Sequence, residues 1–360
     1  MKILAVGPAA FPITGQSVAF HVAAKVEGVS TILINSSERE GLTALLSYAE
    51  YWIRLILIFL FRRFDICYFT CSRTLFGFFV RDLPLVLLMS IKGVKIVNHL
   101  HGADFIRFRM NLNFWMRWLL DSIYAKVDTS IVLLPAMKEQ FATYPNMRIE
   151  VISNFYDQDD LYVELVRKKV TTGLTHRPLN ILFLSSLVPE KGLLTLLEAF
   201  EYCVQRRLDI HLDVAGSGSE SIVAKINWYS ERTQGRVQYH GVVEGIAKQN
   251  LLLNADVVSL PTYYETEAQP IVLIEGMAFG CALHTSRHNY IPNFISSKNG
   301  VLVDPLSVES VSQGLYELCR DKASLRFIGA ENLTSSQSKY SINNYKESLL
   351  SCFRGVLSTQ

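Results

Sequence analysis

Two glutamates, Glu267 and Glu275, stand seven residues apart in the stretch PTYYETEAQPIVLIEGMAFG, Pro261 to Gly280. Carboxylates accept hydrogen bonds and therefore suit ligands rich in hydroxyl groups. Between the two acids, Pro270 fits the first turn of a helix, where its missing N–H costs nothing. Ile271, Leu273, Ile274, Met277 and Ala278 follow at helical spacing, and Gly280 is a natural stop. The free N–H groups at such a helix start attract anions. Main-chain groups of Ala268, Gln269, Ile271 and Val272 would supply them. Phosphate donors at the centre with a carboxylate on each flank describe a site for a sugar nucleotide: diphosphate, ribose and sugar hydroxyls. The blander alternative is that both acids are ordinary charges, one on a loop and one on a helix.

Other residues join these by position. Lys191 is the penultimate residue of the run SSLVPEKG and precedes a helix, so its ammonium would add charge at that helix end. The alternative is a surface lysine after a turn. His101 follows the apolar run Lys95 to Leu100, at the carboxyl end of a strand, where ligands bind in open α/β sheets. It could instead merely cap that strand, and His99 lies close enough to be confused with it. Gly15 and Gln16 close a loop opened by Gly7-Pro8, with Ser17 as candidate cap of the next helix. That loop is not a G-x-G-x-x-G fingerprint, which disfavours a dinucleotide cofactor. Gly15 as a plain turn glycine is the alternative.

The positioning elements alternate. Strands are predicted at Lys2 to Val6, Ser30 to Ile34, Asp65 to Thr70, Lys95 to Leu100 and Ser130 to Leu134, with helices between them. A second series opens at Leu179 to Leu184 and continues through His211 to Ala215, Val237 to Val243, Ala255 to Leu260, Ala282 to Ser286 and Asn299 to Val303. Strand, glycine loop, helix, strand is the unit of a doubly wound sheet, so the fold class is α/β. The polar, Thr/Gly-rich stretch Leu165 to Pro178 is predicted as a linker. The domains are then 1–170, 171–340 and a C-terminal helix, 341–360. At 360 residues each half can bury a core of its own.

A net charge of +2 points to no nucleic-acid partner. Between Tyr51 and Lys126, however, eleven Lys or Arg face four Asp or Glu. Tyr51 to Phe64 and Phe105 to Tyr124 interleave arginines with tryptophan, phenylalanine, leucine and isoleucine. Such segments suit a lipid interface, with aromatics at headgroup depth and arginines on anionic lipid. A core-facing helix with solvated arginines is the alternative. No stretch is long enough to span a bilayer, and the N-terminus is too short in apolar residues for a signal peptide. The six cysteines form no C-x-x-C pair, and no histidine cluster has metal-ligand spacing. Buried thiols in a reducing cytoplasm are the plain reading.

The Pro261 to Gly280 stretch resembles the E-x7-E signature of the family 4 retaining glycosyltransferases of bacterial surface-polysaccharide type. The likeness covers nearly the whole chain and is most specific in the second half. It implies a GT-B fold, two Rossmann-like doubly wound domains facing across a cleft. It implies a UDP- or GDP-linked sugar donor, a lipid-linked or oligosaccharide acceptor and no metal or other cofactor. By resemblance, Gly15 and Gln16 approach the donor diphosphate, His101 faces the donor sugar, and Lys191 and Ser186 occupy a phosphate motif. Ser186 departs from the pattern, which has arginine there; a hydroxyl cannot neutralise a leaving diphosphate. Val242 would bracket the base, Glu275 the ribose, and Glu267 the sugar hydroxyls. The expected catalytic set is His101, Lys191 and Glu267. The expected location is cytoplasmic, peripheral at the inner face of the cell membrane. A sugar-nucleotide epimerase on the same fold, or a non-catalytic partner protein, are the alternatives; product analysis with donor alone, or donor titration, separates them.

Overall fold

The computed structural model describes residues 1–8, 15–26, 42–172 and 178–358, which divide into two compact units. Unit 1 holds 1–153 and 343–360, and unit 2 holds 154–342. The predicted strand Ser30 to Ile34 lies outside the described residues.

In unit 1 the strands β1 (Ile3–Val6), β2 (Ile66–Thr70), β3 (Lys95–Leu100), β4 (Thr129–Val132) and β5 (Arg148–Val151) pair in that order, all parallel. β1 to β4 are almost wholly buried, as a parallel sheet covered on both faces requires, with Asn98, His99, Thr129 and Ser130 as buried polar residues. The helices are α1 (Gly15–Ala24), α2 (Leu42–Phe61), α3 (Leu75–Gly77), which continues through a π-helical turn into α4 (Leu83–Ile91), then α5 (Phe105–Met110) and α6 (Phe114–Tyr124). α1 begins at Gly15, so Ser17 lies inside the helix and is buried rather than capping it. Arg81 and Asp82, within the π-helical turn, form an ion pair at 2.9 Å. Asp82 is fully buried and accepts from the Ser72 amide (2.6 Å), the Ser72 hydroxyl (3.0 Å), the Tyr124 hydroxyl (2.8 Å) and Arg81 Nε (2.9 Å). A buried carboxylate without such partners would cost several kcal/mol, roughly, so this network ties the loop after β2 to α6.

Unit 2 carries α7 (Asp160–Thr172) and a six-stranded parallel sheet: β6 (Leu179–Leu184), β7 (Ile210–Ala215), β8 (Val237–Tyr239), β9 (Val257–Leu260), β10 (Ala282–Ser286) and β11 (Gly300–Val303). Helices α8 (Leu193–Gln205), α9 (Glu220–Arg232), α10 (Gly245–Asn254), α11 (Ile271–Ala278), α12 (Val308–Arg320) and α13 (Lys322–Lys339) connect and cover it. The stretch read as a linker is helical through Thr172. Val166 on α7 is fully buried, and Lys169 donates to the Phe279 carbonyl at 2.8 Å. Its polar residues form the outer face of an amphipathic helix. The last helix, α14 (Ile342–Ser358), belongs to unit 1, where Phe353 meets the Tyr68 ring at 5.5 Å.

The strand order of unit 2 is β11-β10-β9-β6-β7-β8. It runs outward in both directions from β6 and β9, so the sheet reverses its winding between these two neighbours. Connections leave them to opposite sides, which opens a crevice at their carboxyl ends.

His284, on β10, is fully buried, bonded to the Ser259 hydroxyl (2.8 Å) and the Val311 carbonyl (3.1 Å). Burial pushes its imidazole down to about 4. The unfolded chain would protonate it at an ordinary value near 6.5, so it favours folding above that pH and loses the contribution as pH falls toward 4. Stability should therefore drop by about 1.4 kcal/mol per pH unit from this group within the window. Urea unfolding at pH values across it checks this; a midpoint independent of pH there would contradict it.

Candidate active site

The loops after β6 and β9 meet at the switch point of unit 2. Gly192 closes the first loop with φ +81, and a Cβ at that position would stand 1.9 Å from the Pro261 carbonyl oxygen. Only glycine combines that backbone with that approach. The Tyr263 amide donates to the Glu190 carbonyl at 2.8 Å, and the Thr262 hydroxyl donates to it at 3.2 Å. These contacts carry Lys191 to Glu267, 76 positions away, with Lys191 Nζ 2.5 Å from Glu267 Oε2. The Thr262 hydroxyl reaches the same oxygen at 3.3 Å, and Lys191 Nζ lies 4.6 Å from the centre of the Tyr264 ring. Asn289 donates to the Glu265 and Glu267 carbonyls at 2.9 and 3.1 Å, which fixes the loop from its far side.

Four residues after Glu267, α11 starts at Ile271 behind Pro270, with no side-chain cap hydrogen bond. Ala268 is buried, Ile271 and Val272 are half-buried, and Glu275 is buried on the helix. Sequence reasoning missed the partner of Glu275. Lys248, on α10, sets its Nζ 2.5 Å from Glu275 Oε1. Each acid of the pair thus carries its own lysine. Nothing local marks Lys248, because its partner lies 27 positions away.

The remaining predicted residues are placed as follows. Gln269 is buried, and its Oε1 accepts from the Asn154 amide at 2.7 Å while its carbonyl accepts from Asn154 Nδ2 at 2.8 Å. Its side chain clamps the chain at the start of unit 2. Ser186 is exposed in the loop after β6, and Val242 is exposed after β8. In unit 1, Gly15 is exposed at the start of α1 and Gln16 is half-buried. The rest of that loop, 9–14, lies outside the described residues. His101 follows β3; both its ring nitrogens are shut from solvent and have no hydrogen-bond partner among the described residues. Burial, followed by the charge of Arg73, lowers it to about 3. It is therefore a neutral imidazole at physiological pH, able to accept at one nitrogen and donate at the other. Arg73 is held 2.9 Å from Asp104.

The interfacial segments differ from expectation in two respects. Phe105 to Tyr124 is two helices, because Asn113 caps α6 through the Met116 amide at 3.0 Å. Trp115 and Trp118 are 74% and 60% exposed, as expected of a lipid-facing surface. The arginines, however, are engaged. Arg109 binds Asp121 with two nitrogens at 2.7 Å, and Arg117 bonds the Met110 and Leu112 carbonyls at 2.8 and 3.0 Å. They join α5 to α6. On α2, Ile53, Leu57, Leu60 and Phe61 are exposed beside Arg62 and Arg63. Among the described residues no helix is long and apolar enough to cross a membrane. A cavity of about 580 Å³ lies elsewhere in unit 2, lined by Arg287, Gln313, Glu317 and Ser324. It holds none of the paired acids.

Residues 167–334, which include β6 to β11 and both acid–lysine pairs, match the glycosyl transferases group 1 family. The chain is 24% identical over 233 residues to an uncharacterized glycosyltransferase of Methanocaldococcus jannaschii, covering 62% of this chain and 59% of that one. It is 26% identical over 184 residues to a GDP-mannose-dependent monoacylated alpha-(1-6)-phosphatidylinositol monomannoside mannosyltransferase of Corynebacterium glutamicum, covering 49% and 46%. The chain thus spans about half the length of these relatives. Its fold is similar to that of Anabaena Alr3699/HepE crystallised with UDP, at TM-score 0.74 and 14% identity over 99% of this chain and 100% of that one. A glycosyltransferase from Rickettsia africae gives 0.73 and 16%, over 100% and 99%. The fold is GT-B.

Lys248→Met should leave Glu275 buried and unpaired, at a cost of about 1–3 kcal/mol. Adding Glu275→Gln should recover most of it. A denaturation double-mutant cycle measures the coupling, and an unchanged midpoint in the single variant would contradict the pairing.

Proposed function

We propose that the protein is a retaining, metal-independent glycosyltransferase that moves a sugar from a UDP- or GDP-linked donor to a lipid-linked or oligosaccharide acceptor, in cell-surface polysaccharide assembly. One observation carries this reading: two acids, each tethered by a lysine, flank the uncapped start of α11 at the switch point of the sheet. Breaking a glycosyl–phosphate bond builds negative charge on the diphosphate. Lys191 and the amides of Ile271 and Val272 are the proposed stabilisers of that charge, and preorganised groups of this kind contribute the largest electrostatic term in such catalysis. In the free protein Glu267 orients Lys191. With donor bound, Glu267 accepts from sugar hydroxyls and Lys191 turns to phosphate. Glu275 keeps Oε1 on Lys248 and offers Oε2 to the ribose. Ala268 belongs to the same turn, and Gln269 acts through its clamp on Asn154. Val242 borders the base, Ser186 donates one hydrogen bond to phosphate, and Gly15 and Gln16 approach the diphosphate. His101 is the proposed sugar-facing group of unit 1, retained as a neutral imidazole.

Retention is assigned to same-face attack assisted by the leaving phosphate. Among the described residues of unit 1, Asp82 and Asp104 are committed to Arg81 and Arg73, which argues against either as a carboxylate nucleophile. The related mannosyltransferase of Corynebacterium, named for a GDP-mannose donor and a phosphatidylinositol acceptor, supports the donor and lipid classes. The exposed aromatics of α2 and α6 support a peripheral site at the inner face of the membrane, with Arg62 and Arg63 supplying the charge in place of Arg109 and Arg117.

Thermal stabilisation by a panel of sugar nucleotides, followed by product analysis with and without acceptor, tests the function. A ligand that binds only the folded state raises the melting temperature. No stabilisation by any member, or a rearranged sugar formed from donor alone, would overturn it. Glu275→Ala should weaken the stabilising donor by about 1.5–3 kcal/mol, measured by calorimetry; an unchanged affinity removes Glu275 from the site. Replacing Trp115 and Trp118 by serine should reduce binding to anionic liposomes while donor hydrolysis persists. Equal liposome binding would sink the membrane assignment.

A further inference from the structure

Three buried rings in unit 1 form a hydrogen-bonded chain that ends beneath His101. His99 Nδ1 and the Tyr68 hydroxyl are 2.8 Å apart, and the Tyr68 hydroxyl is hydrogen-bonded to that of Tyr345 on α14. The Tyr345 hydroxyl donates to the Ala19 carbonyl of α1 at 3.2 Å. His99, Tyr68 and Tyr345 are all buried. The last link fixes the polarity of the rest, because a carbonyl only accepts and each hydroxyl has one proton. Tyr345 commits its proton to Ala19, so it accepts from Tyr68. Tyr68 has then used its own proton, so it accepts from His99 Nδ1–H. A neutral imidazole carries a single N–H, which leaves His99 Nε2 as a bare acceptor, and that nitrogen is buried without a partner. The His99 ring lies against the His101 ring, with centroids 4.0 Å apart and planes 30° apart. β3 ends between the two histidines, at Leu100, so the backbone alone does not hold the second ring.

We propose that the Tyr345–Tyr68–His99 chain is a positioning device for His101: it holds His99 as the Nδ1–H tautomer, makes that ring the platform on which His101 rests, and brings the C-terminal helix α14 into the reaction machinery of unit 1. The proposal rests on the role given to His101 above. Burial keeps His99 well below the ordinary histidine range, consistent with a neutral ring. A plain core network would be indifferent to which imidazole nitrogen carries the proton; this chain prescribes it. Both tyrosines are buried, so their loss should act through His101.

The test uses the full chain labelled with nitrogen-15, with histidine tautomers read from long-range proton–nitrogen correlation at neutral pH. His99 should show a protonated Nδ1 and a bare Nε2. Tyr345→Phe removes one oxygen and keeps the ring. It should mix or reverse the tautomer, move the His101 ring resonances, and lower kcat for donor turnover about tenfold with KM for donor within about twofold, since small misplacements cost rate more than binding. Tyr68→Phe should lose as much, and the double variant no more than either, because the groups act as one unit. If Tyr345→Phe does not fold, His99→Asn serves: its amide can still donate to Tyr68 but offers no ring to His101, and kcat should fall in the same way. A protonated Nε2 on His99 in the unaltered protein would overturn the proposal, as would Tyr345→Phe with unmoved His101 resonances. If no sugar nucleotide is turned over at all, the functional reading fails, and the resonance measurements still decide the relay.

Discussion

The arrangement of unit 2 depends on one approach between two backbones. Gly192 lies so close to the Pro261 carbonyl that no side chain fits, in a conformation other residues resist. Because the loops after β6 and β9 can touch there, Lys191 reaches Glu267 and the start of α11 stands beside both. A second close approach, Gly216 against the Ser185 carbonyl, places the loop after β7 on the same edge of the sheet. The chemistry is thus concentrated where the sheet reverses its winding, and the glycines decide how tightly it is gathered.

The acids gain their character from partners that come from distant elements. Lys191 and Lys248 each hold one carboxylate, at side-chain exposures low enough for the pairs to be oriented rather than loosely solvated. A lysine parked on a carboxylate is a charge kept in place without a ligand. Under the proposed function, an exchange of partners on phosphate binding would cost little reorganisation, which is how preorganised electrostatics favours a reaction. Unit 1 works differently. Among the described residues its His101 imidazole has no hydrogen-bond partner, and it is packed against the His99 ring.

Much of this was legible in the sequence because the signals are local. Apolar runs of four to six residues gave the parallel strands, and the Pro270 start and Gly280 stop bounded α11, with Gly280 at φ +64. The unread features are those set by distant contacts. Lys248 carries no motif. The outward polarity of α7 resembles a linker until Val166 is seen to be buried. The arginines of α5 and α6 look available to lipid until Asp121 and two carbonyls are found to hold them. The break between α5 and α6 was written in Asn113, a capping residue that the aromatic pattern around it obscured.

The most direct measurement is a crystal structure of the protein with the sugar nucleotide that stabilises it. The account requires the diphosphate at the Ile271 and Val272 amides, Lys191 turned from Glu267 to phosphate, and a Glu275 oxygen on the ribose. A donor bound elsewhere, with the Lys191–Glu267 pair intact, would contradict it.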